Sequence, residues 1–310
     1  MTRTFLSLAL LAIAAPLAAQ SERPPFLIEE SGKSFWRLGD AVKSIGDGEG
    51  TITISAGLID DCAVQTEGAV TYRAAKPGSV VFDGVTCEGK AALVLRGRSA
   101  RVEGIIFQNM KVADRNGAGI RLEKGDLDVD NVIFRNSEQG ILTGVEKMSN
   151  ISIDRSTFSG LGGCPDGMCS HSAYIGEIAS LRVTRSRFER GTGGHYLKAR
   201  AARVQISDNS FDDTRGRETN YMIDLPAGSV GAITGNVFVQ GMSKENYSAF
   251  IAVGAEQRVN PSAGLVISNN DARFAPGVDR NSNFVADWTH EPLRISANRL
   301  GAGLKILDRR

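Results

Sequence analysis

Six segments of this chain end alike: ARVEGIIFQN, LDVDNVIFRN, ISIDRSTFSG, LRVTRSRFER, VQISDNSFDD and GAITGNVFVQ. Their aromatic residues are Phe107, Phe134, Phe158, Phe188, Phe211 and Phe238, at gaps of 27, 24, 30, 23 and 27 residues. Two weaker copies follow, LVISNNDARF and LRISANRLGA. Each copy alternates apolar and polar residues before the Phe, the period of a strand. Asn131, Asn209, Asn236, Asn269 and Asn298 recur at what reads as one turn position. Between copies lies a second short strand: GIRLE, GILTGV, AYIGEI, HYLKAR, YMIDLP and FIAVGA. A unit of about 25 residues with two or three short strands cannot bury its own apolar face, but stacking units buries a continuous column. The repeat therefore predicts an all-β solenoid of roughly ten coils paired in parallel, with Phe, Ile, Val and Leu inside. A propeller blade needs about 40 residues and four antiparallel strands, and the gaps do not supply them.

The ends read differently. Met1 to Gln20 has an early Arg3, an apolar run from Phe5 to Ala15, Pro16 and then Ala18 and Ala19. That is the layout of a cleaved signal peptide, which predicts a secreted or periplasmic protein with residues 21–310 as a single β-helix domain. No later stretch is apolar for long enough to span a membrane. Trp36, Leu38, Ala41, Val42 and Ile45 fit a short amphipathic helix over about 35–46. It is expected to cap the open end of the stack, with coils over about 50–307. Export permits disulfides. Four cysteines allow three pairings. A Pro-Asp-Gly turn between Cys164 and Cys169 favours closing that pair, leaving Cys62 with Cys87, 25 residues or one coil apart. Zinc is disfavoured, since there is no CxxC and only three His. Asp126, Asp128 and Asp130 lack the Gly and Glu of a calcium loop and read as outward strand residues. With 36 Lys+Arg against 35 Asp+Glu, nothing points to nucleic acid as partner.

The stretch from Trp36 to about Leu307 resembles bacterial right-handed parallel β-helix proteins of the pectate-lyase-like superfamily. The likeness rests on the helix followed by GDGEGTITI, on VVFDGVTCEGKAALVLRG, and on the I-x-x-N-x-F repeats. The resemblance implies a carbohydrate-active or carbohydrate-binding protein. The superfamily holds polysaccharide lyases, glycoside hydrolases, epimerases, esterases and non-enzymatic surface proteins, so fold alone does not name the reaction. No cofactor is expected from the sequence; calcium supplies the cation in some lyases of the superfamily.

A site is expected where outward positions depart from bland Ser, Thr or Asn. If Leu197 and Ala199 face inward, alternation turns Tyr196, Lys198 and Arg200 outward. By the same parity Tyr174, Met222 and Asp224 face out. Stacking then predicts Tyr174 near Tyr196 and Lys198 near Asp224, with His195 and His171 at the strand starts of adjacent coils. Arg121 extends the face earlier. From Arg182 to Arg203 the chain carries Arg182, Arg185, Arg187, Arg190, Lys198, Arg200 and Arg203 against one acid, Glu189. A local positive patch on an exported solenoid points to an anionic, uronate-containing polysaccharide as partner, bound by a monomer.

These residue types fit β-elimination on a uronate. A cation neutralises the carboxylate, a base takes the C5 proton and an acid assists the leaving O4. Arg200 is the candidate carboxylate fork, Lys198 or Tyr196 the base, and His195, His171 or Tyr174 the acid. Asp224, Arg121 and Arg203 are candidate substrate contacts. The rivals are a hydrolase or an epimerase, and a non-catalytic polysaccharide-binding or envelope protein. A hydrolase needs two carboxylates at set spacing; Asp212 and Asp213 should face opposite sides of a strand, whereas Glu177 and Asp224 lie two coils apart.

Overall fold

A computed structural model describes residues 23–310; the signal-peptide expectation lies outside the described residues. Three parallel sheets wind into a right-handed solenoid of about nine turns. Sheet I has twelve strands, sheets II and III ten each. Sheet I begins at Glu49–Ile54 and runs in parallel to Arg294–Ser296. Its outer edge holds two antiparallel strands, Phe26–Ile28 and Ser34–Phe35, which the sequence reading did not anticipate. The cap helix is Leu38–Ile45, shorter than expected. It buries Leu38, Ala41 and Val42 over the first coil, while Trp36 lies outside it and is 59% exposed. No described helix is long and apolar enough to cross a membrane.

The Phe repeat becomes a column of rings in sheet II. Phe82, Phe107, Phe134, Phe158, Phe188, Phe211 and Phe238 pair in register. Their centroids lie 4.6–5.4 Å apart with nearly parallel planes, each contact contributing about 0.5–1.5 kcal/mol beyond burial. The column starts one coil earlier than the repeat indicated, at Phe82. It ends at Ala272, because Phe274 of the weaker copy pairs with Gln240 instead.

The asparagines occupy two turn positions rather than one. Asn131 and Asn269 adopt left-handed backbone, φ 54° and 57°. Asn209, Asn236 and Asn298, joined by Asn270, follow one residue later and point inward. The Asn236 Oδ1 accepts from the Asn209 N–H at 3.0 Å and from its Nδ2 at 2.9 Å. Asn270 does the same for Asn236, and Asn298 for Asn270. Ser156 and Ser186 extend the chain of bonds into earlier coils. Buried turns need such acceptors. Asn236→Ala is therefore expected to cost about 1–3 kcal/mol, read as a lower urea midpoint at unchanged slope.

Sheet III carries two adjacent inward rows. Ile120, Ile141, Ala173, Leu197, Ile223, Ile251 and Val285 form one. The residue before each also faces in, because the strand opens directly from a corner. In early coils that residue is Gly: a Cβ on Gly140 would sit 2.8 Å from the Phe158 ring. In later coils it is Tyr196, Met222, Phe250 and Phe284, all buried. Tyr196 and Met222 thus lie inside the stack, contrary to strict alternation. Both expected disulfides are present. Cys62–Cys87 spans 5.6 Å between Cα atoms, and Cys164–Cys169 flanks the short turn Pro165–Gly167.

Candidate functional site on sheet III

The outward face of sheet III is read in two rows. Register places Val94, Arg121, Leu142, Tyr174, Lys198, Asp224 and Ala252 in line on successive coils. Three residues earlier in each coil, just before the strand, His171, His195 and Tyr221 form the second row, across the two inward positions. Lys198 and Asp224 are neighbours, as stacking predicted. Tyr174 pairs with Lys198 and not with Tyr196.

Lys198 is only 9% exposed. Its Nζ lies 3.3 Å from Asp224 Oδ2 and 2.5 Å from Glu256 Oε1. Arg200 closes on the other oxygen of Glu256, and its Nε donates to the Tyr174 hydroxyl oxygen at 3.1 Å. One carboxylate thus bridges a lysine and an arginine that also touches a tyrosine. Glu256 arrives from the loop after strand Ala249–Val253. That loop folds back over the face: Glu256 and Asn260 N–H groups donate to Pro226 and Ala227 carbonyls, and Asn260 Nδ2 donates to the Arg200 carbonyl. Beside it opens a hollow of about 380 Å³ that includes Tyr174, Arg200 and Glu256 in its lining.

Behind this clamp, the His195 backbone N–H donates to His171 Nδ1 at 3.0 Å, so that nitrogen is the bare one in the neutral ring. The two Nδ1 atoms lie 3.2 Å apart, and His195 Nε2 is 3.4 Å from Asp224 Oδ2. His171 stands edge-on to Tyr174, centroids 5.5 Å apart. The disulfide loop abuts this row: Gly194 has φ 63°, and a Cβ there would fall 2.1 Å from the Ser170 carbonyl oxygen.

Burial sets the charges. It pushes His171 down to about 3, with Lys198 adding to the effect. His195 is held well below the ordinary histidine range by burial and by His171. Both rings are neutral at pH 7, which removes them as cationic acids. Burial pushes Asp224 up to about 6 despite Lys198, and its Oδ1 has no hydrogen-bond partner. Burial also works to raise Glu256, but hydrogen bonds from Lys198 and Arg200 outweigh it and hold its carboxyl below the usual range.

These shifts carry opposite signs in stability. Between pH 6.5 and 3 the unfolded chain protonates a histidine that the folded chain leaves neutral, so stability falls on acidification. Asp224 acts the other way: between pH 6 and 4 the folded chain holds the extra proton. With two histidines against one aspartate, stability is expected to drop from pH 7 to pH 5. His171 alone accounts for about 2 kcal/mol of that drop. His171→Asn should flatten the melting-temperature profile over this window; an unchanged slope refutes the assignment.

The remaining candidates lie elsewhere. Tyr196 is 1% exposed, and its hydroxyl donates to Asp213 Oδ1 at 2.7 Å, so it does not face the groove. Arg121 shares the outward row but sits two coils from Tyr174, behind Leu142, and faces Glu123 at 3.5 Å. Arg203 pairs with Ser180 and Val230 on sheet I, a different face. The basic run is local only along the chain. Arg182 also lies on sheet I, Arg185 binds Asp154 at the next corner, and Arg187 lies on sheet II. Asp126, Asp128 and Asp130 are outward on sheet I, where Asp128 and Asp130 meet Arg101 and Arg155. Sequence reasoning missed Glu256, which sits in an unremarkable AEQR stretch, and Tyr221, packed against His195 at 5.6 Å.

Residues 91–275, more than half the chain, match the family described as right handed beta helix region. The matched span holds every residue of the clamp, from His171 to Glu256. No curated protein and no solved structure matches the chain. The register of three parallel sheets and this match together place the chain in the right-handed β-helix family.

Proposed function

We propose that this protein is a polysaccharide lyase that cleaves a uronate-containing polymer by β-elimination on the outward face of sheet III. The observation that supports this reading is the bridging of Glu256 between Lys198 and Arg200. The pair is a receptor for a carboxylate, filled by the chain's own. A uronate carboxylate entering the same place displaces Glu256 and meets two fixed cations, which lowers the cost of negative charge developing at C5.

Tyr174 is the proton carrier. Its oxygen already accepts from Arg200 Nε, so negative charge forming there is stabilised. Once its hydroxyl proton has passed to solvent, the Tyr174 oxygen takes the C5 proton; the C5–H electron pair becomes the C4=C5 double bond and the C4–O4 bond breaks. The phenol then returns the proton to O4. Lys198, in contact with the carboxylates of Asp224 and Glu256, acts through electrostatics on the substrate carboxylate. His171 and His195 hold the ring of Tyr174 and the carboxylate of Asp224 in place. The resemblance to pectate-lyase-like proteins points to the same substrate class. Ultraviolet absorbance of an unsaturated product, measured on a panel of alginate-, pectate- and glycosaminoglycan-like polymers, tests the reading; binding to all without product formation refutes it.

One observation favours a hydrolase instead. Asp224 and Glu256 contact the same ammonium, so their nearest oxygens lie within about 6 Å, near the spacing of retaining glycosidases. Their carboxyls are pushed in opposite directions, as an acid and a nucleophile would be. New reducing ends without unsaturation would select this reading.

A further inference from the structure

A second group of cations lies off this face, at the corner where sheet II turns toward sheet III. In successive coils the residue just after the sheet II strand has left-handed backbone, and it is Gly84, Asn109, Asn136 or Gly160. These types tolerate that conformation. The next coil places Arg190 there, φ 55°. Two other arginines accept the same strain at the opposite corner, Arg155 and Arg185, φ 47° and 49°. Each is held through two nitrogens by an aspartate of the preceding coil, Asp130 and Asp154. Arg190 has no such partner. Among the described residues, no carboxylate is within ion-pair distance of Arg190, Arg215 or Arg217.

These three residues border one corner of the solenoid. Arg190 and Arg215 line two adjoining hollows of about 360 and 370 Å³. Arg217 and Thr192 line the second, and the Arg217 backbone N–H donates to Gly191, one residue beyond Arg190. Glu189 and Asp212 border the first hollow but are engaged by Arg187, at 3.2 Å for Asp212. The second hollow is bordered by all three arginines and by no carboxylate, so an anion bound there is attracted by three like charges at once.

We propose that this corner is a binding site for a tetrahedral oxyanion, a sulfate or phosphate ester carried on a polymeric glycan. Arg190, Arg215 and Arg217 present forks from two adjacent coils, and a tetrahedral group offers three oxygens to such forks where a single carboxylate offers two. The site does not rest on the lyase reading, since none of the three arginines touches Tyr174, Lys198 or Arg200.

The test combines Arg190→Asn, Arg215→Gln and Arg217→Gln in one variant of the full chain. Arg190→Asn installs a residue that neighbouring coils use in the same conformation, so folding is retained. The probes are inorganic sulfate and phosphate by titration calorimetry, and sulfated, phosphorylated and carboxylate-only polysaccharides by affinity electrophoresis. The parent chain is expected to bind an inorganic anion saturably. It should also bind the sulfated or the phosphorylated polymer at least about tenfold more tightly than the variant does. Which polymer is retained identifies the ester. Arg200→Ala should keep this binding. Equal binding by parent and triple variant overturns the proposal, as does no saturable binding of either anion by the parent, or equal loss in Arg200→Ala.

Discussion

Replacing Arg200 by alanine is expected to lower turnover of a uronate polymer by about 10²–10³-fold, while the melting temperature stays within a few degrees of the parent. The two effects separate because Arg200 does little for the fold. Its contacts are Glu256, 42% exposed, and the Tyr174 hydroxyl. After its removal Glu256 keeps Lys198. What is lost is the fork on the substrate carboxylate and the donor that stabilises charge on Tyr174. Tyr174→Phe should lose turnover to a similar extent yet still bind polymer, because the carboxylate clamp remains. Lys198→Ala is a poorer probe, since Lys198 is the cation beside buried Asp224 and its loss also costs stability. Full activity in both Arg200→Ala and Tyr174→Phe would remove this face from the reaction.

The largest loss of stability is expected from Asp213→Ala, about 3–5 kcal/mol. Asp213 and the Lys244 side chain are fully buried and 3.4 Å apart. Asp213 also accepts from the hydroxyls of Tyr196 and Thr219, each at 2.7 Å, and from the Gly241 N–H at 3.0 Å. Burial lowers Lys244 below the ordinary lysine range, and the carboxylate of Asp213 opposes that shift. Without Asp213, the buried Lys244 side chain loses its counter-ion and the hydroxyls of Tyr196 and Thr219 lose their acceptor. Urea unfolding followed by circular dichroism measures the change. Adding Lys244→Met to Asp213→Ala should restore much of the loss by removing the stranded charge. A shift below about 1 kcal/mol in the single variant would show that the network contributes little.

Much of the fold was legible because a solenoid writes its structure as local repeats. The alternation before each Phe and the spacing near one coil length gave the parallel solenoid with Phe inside and fitted Cys62–Cys87 to one coil, while the Pro-Asp-Gly turn gave Cys164–Cys169. Errors arose where one residue of phase matters. The asparagines looked like one position but divide between a left-handed turn and an inward ladder, a distinction carried by a single step along the chain. Tyr196 looked outward because alternation was extended through a corner, where two consecutive residues face in. Its row-mates Gly119, Gly140, Met222 and Phe250 carry that signal, read across coils and not along the strand.

The candidate site was legible in part for the same reason. His171, Tyr174, His195, Lys198, Arg200 and Asp224 share a face because parallel register fixes which residues meet one coil apart. The basic run from Arg182 to Arg203 misled, since consecutive residues in a solenoid wrap around all three sides. Sequence alone determined the repeat and hence which side chains align, because strand period and coil length are local properties of the chain. Only the tertiary structure decided which cations stand together and what occupies them. Glu256 reaches Lys198 and Arg200 from more than fifty residues away through an irregular loop, and no local pattern encodes where such a loop lands.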